Sequence, residues 1–98
     1  MKRVLKYTIP VDDQAHAVAG RFWHPFGPVV HVACQDGPNS VQVWAETVTD
    51  DDLVTETTRD LKVYGTGQPV PLRAGHVGTA ITASGALVWH VYDVTDVT

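Results

Sequence analysis

The feature that most constrains this chain is a period of two. From Arg3 to Ile9 the run RVLKYTI puts Leu5, Tyr7 and Ile9 on one side of an extended backbone and Val4, Lys6 and Thr8 on the other. Side chains of a strand alternate between faces, so such a run can bury one face and wet the other. A helix would scatter the same residues around its circumference. Pro10 closes the run, because proline has no N–H to give to a ladder. The alternation returns in PVVHVACQ, VQVWAETV, ETTRDLKVY, GHVGTAIT and ALVWHVYDV. These segments are rich in Val and Thr, whose branched Cβ atoms fit a pleated surface and lose rotamer freedom in helices.

Turn chemistry separates the runs. QAHAVAGRF has a double character: Ala15, Ala17 and Ala19 suit a helix that Asp12 or Asp13 would cap. Gly20 and the nearby HPFGP leave such a helix under two turns, so a short strand is expected. Asp36-Gly37-Pro38-Asn39 joins two arms whose matching faces are Val30, Val32 and Cys34 on one side and Val41, Val43 and Ala45 on the other. Ala83-Ser84-Gly85 predicts a second tight hairpin. The last strand is apolar on both faces, with Leu87, Trp89 and Val91 on one and Val88, His90 and Tyr92 on the other, which predicts a central place in a sandwich or a covering partner. About seven strands with no convincing helix predict an all-β fold: a single β domain over residues 1–98, built as a small antiparallel sandwich or partly open barrel.

Composition excludes several classes of partner. At 98 residues and 10.7 kDa the chain has the length of one domain, and 44% hydrophobic with 18% charged residues is a globular balance. The net charge is −4, with only 7 Lys and Arg. Duplex nucleic acid, whose binding rests on several basic groups meeting phosphates, is not an expected partner. A small nucleotide held by local charge is compatible. The lone Cys34 has no partner for an internal disulfide, which points to a reducing cytoplasm. Met1 to Pro10 carries Lys2, Arg3 and Lys6 with no apolar run behind them, so no signal segment is expected, and no stretch approaches a membrane span.

The ordered set GPVVHVACQ, VWAE, VYGTGQPVP, VGTA and ALVWHVYD resembles an uncharacterised family of small proteins encoded mainly by bacteriophages and actinobacterial genomes. The resemblance runs from LKYTIP to VWHVYD, and it departs at the extra RFWHP before FGPVV. It implies a setting, that of a phage-type accessory protein made in the host cytoplasm, and no chemistry.

Gly65-Thr66-Gly67 is the motif with most to decide. A phosphate loop of the P-loop kind needs a lysine and a helix N-terminus behind the glycines. Here Gln68-Pro69-Val70-Pro71 comes next, so no helix dipole can assist. The first expectation is a turn whose two glycines supply positive φ. The second is a small anion-binding loop of backbone N–H groups, with Arg59, Lys62, Tyr64, Arg73 and His76 as its neighbours. His16, His24, His31, His76 and His90 show no ligand spacing, and neither a metal nor another cofactor is expected. His31 and His90, mid-strand among valines, should be half-buried with one ring nitrogen on a nearby carbonyl.

Phe22, Trp23, Phe26 and Trp44 are candidates for an interface, either with a ring-bearing ligand or with a second copy of the chain. A homo-oligomer, most simply a dimer, is expected. No GxSxG, HExxH or Cys-His arrangement is present, no catalytic residue is nominated, and Cys34 should be an inert core thiol. The expected function is therefore non-enzymatic binding: engagement of a host factor, or sequestration of a small anionic ligand of host defence such as a nucleotide. Two alternatives stand beside it, a minor structural or assembly protein of the virion and a small hydrolase or isomerase with a cross-strand His/Asp site.

Overall fold

The computed structural model describes residues 1–22, 29–49 and 54–97. Among them lie seven strands: β1 (Lys2–Pro10), β2 (His16–Gly20), β3 (Val29–Ala33), β4 (Ser40–Val48), β5 (Thr57–Gly65), β6 (Gly75–Ile81) and β7 (Val88–Asp93). They form two antiparallel sheets, one of order β1-β4-β3 and one of order β2-β5-β7-β6, with no helix among the described residues. The all-β expectation holds, QAHAVAGRF does contain a strand, and the doubly apolar β7 lies inside its sheet between β5 and β6.

The core lies between the sheets. Ile9, Val41, Val43, Ala45, Leu61 and Val91 are fully buried, and Val18, Phe22, Val63 and Ala80 pack with them. Burying one such Val, Leu or Ile contributes about 1.5–3 kcal/mol. Period two explains the list, since 41, 43 and 45 lie on one face of β4 and 61 and 63 on one face of β5. Leu5, on the same face as Tyr7 and Ile9, is 40% exposed near the start of β1, where the core tapers off.

Two bulges shape the seam where β3 meets β6. The β3–β4 register slips between Val29 and His31, and the β6–β7 register slips between His76 and Gly78. A bulge adds one residue to one strand, reverses the facing of the residues beyond it and sharpens the twist. This corrects the sequence expectation for β3. Val30, placed on the core face by strict alternation, is 52% exposed, while Val29, Val32 and Cys34 pack on the core. On β6 the bulge brings Gly78 against Val32, where a Cβ would sit 2.3 Å from Val32 Cγ2.

Polar groups fasten the ends. Gln42 is fully buried; its Oε1 accepts from the Gln35 and Asp36 amides at 2.7 and 3.2 Å, and its Nε2 donates to Ser40 Oγ at 2.9 Å. Trp89 Nε1 donates to the Pro38 carbonyl at 3.0 Å, tying β7 of one sheet to the β3–β4 turn of the other. Phe22 is 4% exposed and meets the Tyr7 ring edge-on at 5.9 Å. It is a core residue and not the interface residue expected of it, because the chain leaving β2 turns its ring into the sandwich. Trp23 and Phe26 lie outside the described residues.

Candidate functional site

The strand ladder decides which side chains meet on the outer face of the four-stranded sheet. Antiparallel pairing sets Lys62 opposite Tyr92 and Tyr64 opposite His90 across β5 and β7, and His76 opposite Tyr92 and Thr79 opposite His90 across β6 and β7. Residues opposite one another on a face are within side-chain reach. Here they form a continuous set.

At its centre is His90. Its Nε2 lies 2.9 Å from Thr66 Oγ1 and its Nδ1 lies 3.0 Å from Thr79 Oγ1, and that hydroxyl lies 3.0 Å from His76 Nε2. Thr79 has one proton to donate and two imidazole nitrogens beside it, so at least one ring must donate to its oxygen. Both His90 nitrogens are therefore tied to threonine hydroxyls, not to the carbonyl expected from sequence. His31, the other mid-strand histidine, is exposed and tilts over Trp44, with ring centroids 5.4 Å apart. Thr66 belongs to the GTG segment, so His90 also clamps that segment to β7.

The segment itself is a turn. Gln68 N donates to the Gly65 carbonyl at 3.1 Å, and Gln68 Oε1 accepts from Gly65 N at 3.0 Å. Gly67, third of the four residues, has φ +87°, as a type II turn requires. Gly65 has no positive φ, so only one of the two glycines is needed for the reason foreseen. The adjacent Trp89 ring, whose Cζ3 would lie 3.4 Å from a Cβ at Gly65, accounts for the other in part.

The turn is one wall of a cleft of ≈ 210 Å³ lined by Tyr64, Gly65, Thr66, Gly67, Gln68, Val70, His90 and Tyr92. Tyr64 is 4% exposed and meets Tyr92 edge-on at 5.7 Å. Among the described residues the Tyr64 hydroxyl makes no hydrogen bond, yet no buried side-chain polar atom lacks a partner there, so the small exposed part of Tyr64 includes that hydroxyl. His76 does not line the cleft; its ring stands against the far side of Tyr92 at 5.2 Å. Lys62 places its ammonium 5.1 Å from the Tyr64 ring centroid and has no ion-pair partner among the described residues. No Asp or Glu is among the described residues that line the cleft.

The two arginines foreseen beside the turn are elsewhere. Arg59 precedes Gly65 by six positions along β5, a run of about 20 Å. It donates from Nε to Asp93 Oδ2 at 2.8 Å and from a terminal nitrogen to Asp96 Oδ2 at 3.4 Å, with 17% of its side chain exposed. Burial lowers its pKa, and the hydrogen bonds and charges of Asp93 and Asp96 outweigh that and raise it. Arg73 is exposed and shares a second, ≈ 160 Å³ recess with Arg59, Gly75, Asp93 and Asp96. The proposed ligand residues thus divide: Tyr64, Gly65, Thr66 and Gly67 with His76 behind them at the cleft, Arg59 and Arg73 at a charge-balanced recess near the C-terminal tail. Lys62, foreseen among the basic neighbours of the turn, does lie beside Tyr64, whereas sequence reasoning missed Gln68, Thr79, His90 and Tyr92 as members of the site. Facing parity separates Tyr64 from Leu61 and Val63, and His90 and Tyr92 from Val91; the missing fact was that β5, β7 and β6 are neighbours.

Elsewhere, Trp44 is half-buried on the outer face of the three-stranded sheet, opposite Lys6 and His31. Cys34 is half-buried, and burial pushes its thiol pKa up, away from the reactive thiolate. No group of three or more potential metal ligands occurs among the described residues, and no helix is long and apolar enough to cross a membrane.

Fold and site together define a small two-sheet antiparallel β protein with a polar, aromatic cleft on the outer face of its larger sheet. The chain belongs to the family described as Domain of unknown function (DUF7352), whose model matches residues 1–98. No curated protein and no solved structure matches it.

Proposed function

We propose that this chain is a non-enzymatic binding protein that sequesters a small anionic ligand in the cleft beside the Gly65–Gln68 turn. The observation that carries the reading is the cleft's polarity. In a protein of net charge −4, a recess with no carboxylate among its described lining residues holds the hydroxyl of a 4%-exposed tyrosine, and the ammonium of Lys62, with no ion pair among the described residues, lies 5.1 Å from that tyrosine's ring. That hydroxyl is reached by solvent, so a ligand can bond to it without first breaking a bond within the protein. The phage-type setting, with action in the host cytoplasm on a nucleotide signal of host defence or on a host factor, rests on the sequence resemblance in VYGTGQPVP, VGTA and ALVWHVYD.

The hydrolase or isomerase reading has less support at this cleft, since both His90 nitrogens are occupied and the described lining residues include no acid to pair with it. A thermal-shift screen of nucleotides and sugar phosphates tests the proposal. A ligand present at a hundred times its Kd should stabilise the fold by about 2.7 kcal/mol. No shift with any anion, to millimolar concentration, would remove it.

Self-association, or assembly into a virion, is favoured by a different surface. Trp44 is half-buried on the three-stranded sheet, and Val4 and Val30, on the strands flanking β4, are 51% and 52% exposed. A dimer should persist in light scattering at ~100 μM if its interface is of standard size. A monomer mass there excludes it, and the protein's absence from purified virions by mass spectrometry excludes the assembly role.

A further inference from the structure

We infer that the cleft takes a single planar ring bearing keto-type acceptors, with an anionic group beside it: the chemistry of a pyrimidine nucleotide. This rests on the binding role proposed above and goes further by assigning the ligand's parts to particular residues.

Size sets the first limit. A cleft of ≈ 210 Å³ lies below the ~300–1,000 Å³ of pockets that engulf drug-sized ligands, so it accepts one ring and leaves the rest of the ligand outside. Lining sets the second. Two tyrosine rings, the His90 imidazole and Val70 give flat and apolar walls that suit the faces of a ring better than a branched polyol.

Hydrogen-bonding capacity sets the third limit. The Oε1 of Gln68 is occupied by the Gly65 amide and both His90 nitrogens by threonines, so these acceptors are taken. The lining side-chain groups with no partner among the described residues are the hydroxyls of Tyr64 and Tyr92 and the Gln68 NH2. A phenol donates readily and a carboxamide NH2 only donates, so the complementary ligand edge is made of acceptors. The keto oxygens of a uracil-type ring supply that edge. The tyrosine oxygens can also accept, which serves the ring's N3–H, whereas a guanidinium would leave the Gln68 NH2 unmet and find no negative charge among the described lining residues.

The anion is assigned to Lys62. It faces Tyr92 in the ladder, its ammonium lies by the Tyr64 ring, and among the described residues no carboxylate forms an ion pair with it, Asp12 acting only as a longer-range charge. A phosphate on the ring's sugar would reach it from outside the cleft. Arg59 is excluded from that part, being held by Asp93 and Asp96.

The test is calorimetric titration of the full chain with four probes: uridine 5′-monophosphate, uridine, ribose 5-phosphate and inorganic phosphate. Uridine and its monophosphate should bind, the monophosphate more tightly, and the two probes without a ring should not. Tyr64→Phe and Tyr92→Phe, which keep the ring and remove one hydroxyl, should each weaken uridine and its monophosphate by about 2–10-fold. Lys62→Ala should weaken the monophosphate by a similar factor and leave uridine unchanged. Ribose 5-phosphate binding as tightly as the nucleotide, with Tyr64→Phe and Tyr92→Phe silent, overturns the ring assignment while leaving an anion site in place. If none of the four binds at millimolar concentration, and no other anion shifts the melting temperature, the ring assignment and the binding role fall together. A uridylate tetramer binding no better than the monophosphate supports a free nucleotide as the source, and tighter binding overturns that source.

Discussion

Replacing Gly78 by alanine should damage this fold far more than its single methyl group suggests. The added Cβ would lie 2.3 Å from Val32 Cγ2 and 2.9 Å from Val32 Cβ. The second distance matters most, because Val32 Cβ is fixed to its own backbone and rotation of the valine cannot relieve it. One sheet must then move away from the other along the β3–β6 seam. Extra methyl groups forced into packed sites cost typically 1–3 kcal/mol, and a clash with a fixed atom belongs at the upper end, about 3 kcal/mol. For a domain near this length each kcal/mol is worth about 4–8 °C in Tm, so a fall of roughly 12–24 °C is expected. Gly75→Ala is the control: it lies on the same strand, has nothing within 4 Å of the added Cβ and has no positive φ. That variant should be neutral or slightly stabilising, since a glycine in a strand costs about 0.5–1 kcal/mol relative to alanine. Urea unfolding monitored by circular dichroism gives both values. Val32→Ala in the Gly78→Ala background removes the 2.3 Å contact and should recover part of the loss, a coupling of about 0.5–3 kcal/mol. If Gly78→Ala unfolds within about 0.5 kcal/mol of the wild type, the close approach of β3 to β6 is wrong.

The same geometry sets three further outcomes. Gly67→Ala should cost about 1–2 kcal/mol because φ is +87° there, whereas Gly65→Ala, with no positive φ and only a 3.4 Å approach to Trp89, should cost less; chemical denaturation of the pair reads the difference. Arg59→Ala should destabilise by about 1.5–3 kcal/mol through loss of charge-assisted hydrogen bonds to a half-buried Asp93, and the exposed Arg73→Ala should stay within about 0.5 kcal/mol, so equal effects in thermal melts would refute the division of the two arginines. The hydrogen bond from His16 at 2.8 Å, then that from the Gln14 amide, lower the Asp12 pKa below 3.8. A depressed carboxylate favours the fold above its unfolded pKa and loses that contribution as pH falls through the folded value. Carboxyl-carbon NMR titration should therefore place the Asp12 midpoint below 3.8 in the wild type and nearer 3.8 in His16→Ala.

The sequence was most informative where one physical rule acts alone, and least where two compete. Burial of Val41, Val43, Ala45, Leu61, Val63 and Val91 comes from period two, and the structure needed nothing else to place them. Val30 obeys the same period in the sequence, but a bulge inserts one residue and turns it outward. A bulge has no composition of its own in PVVHVA, since it is set by how β3 must bend to meet β6. Gln42 reads as an outward polar residue and is fully buried, because the hairpin turn folds over it and presents two amides to its Oε1. The cleft shows the same boundary between local and non-local information. Parity within each strand separates Tyr64 from Leu61 and Val63, and His90 and Tyr92 from Val91. That they share one wall depends on β7 lying between β5 and β6, a pairing between segments far apart in the chain that no local pattern encodes. The basic residues misled for the same reason. Arg59 and Arg73 are near Gly65 in sequence, but an extended strand carries the chain about 3.3 Å per residue, so closeness in sequence becomes distance in space. In a β protein, the residues of a site are recruited across the ladder. Lys62 is the instructive case: it is three positions from the turn, it points to the same outer face as Tyr64, and the ladder sets it opposite Tyr92, the residue with which it is proposed to share the ligand.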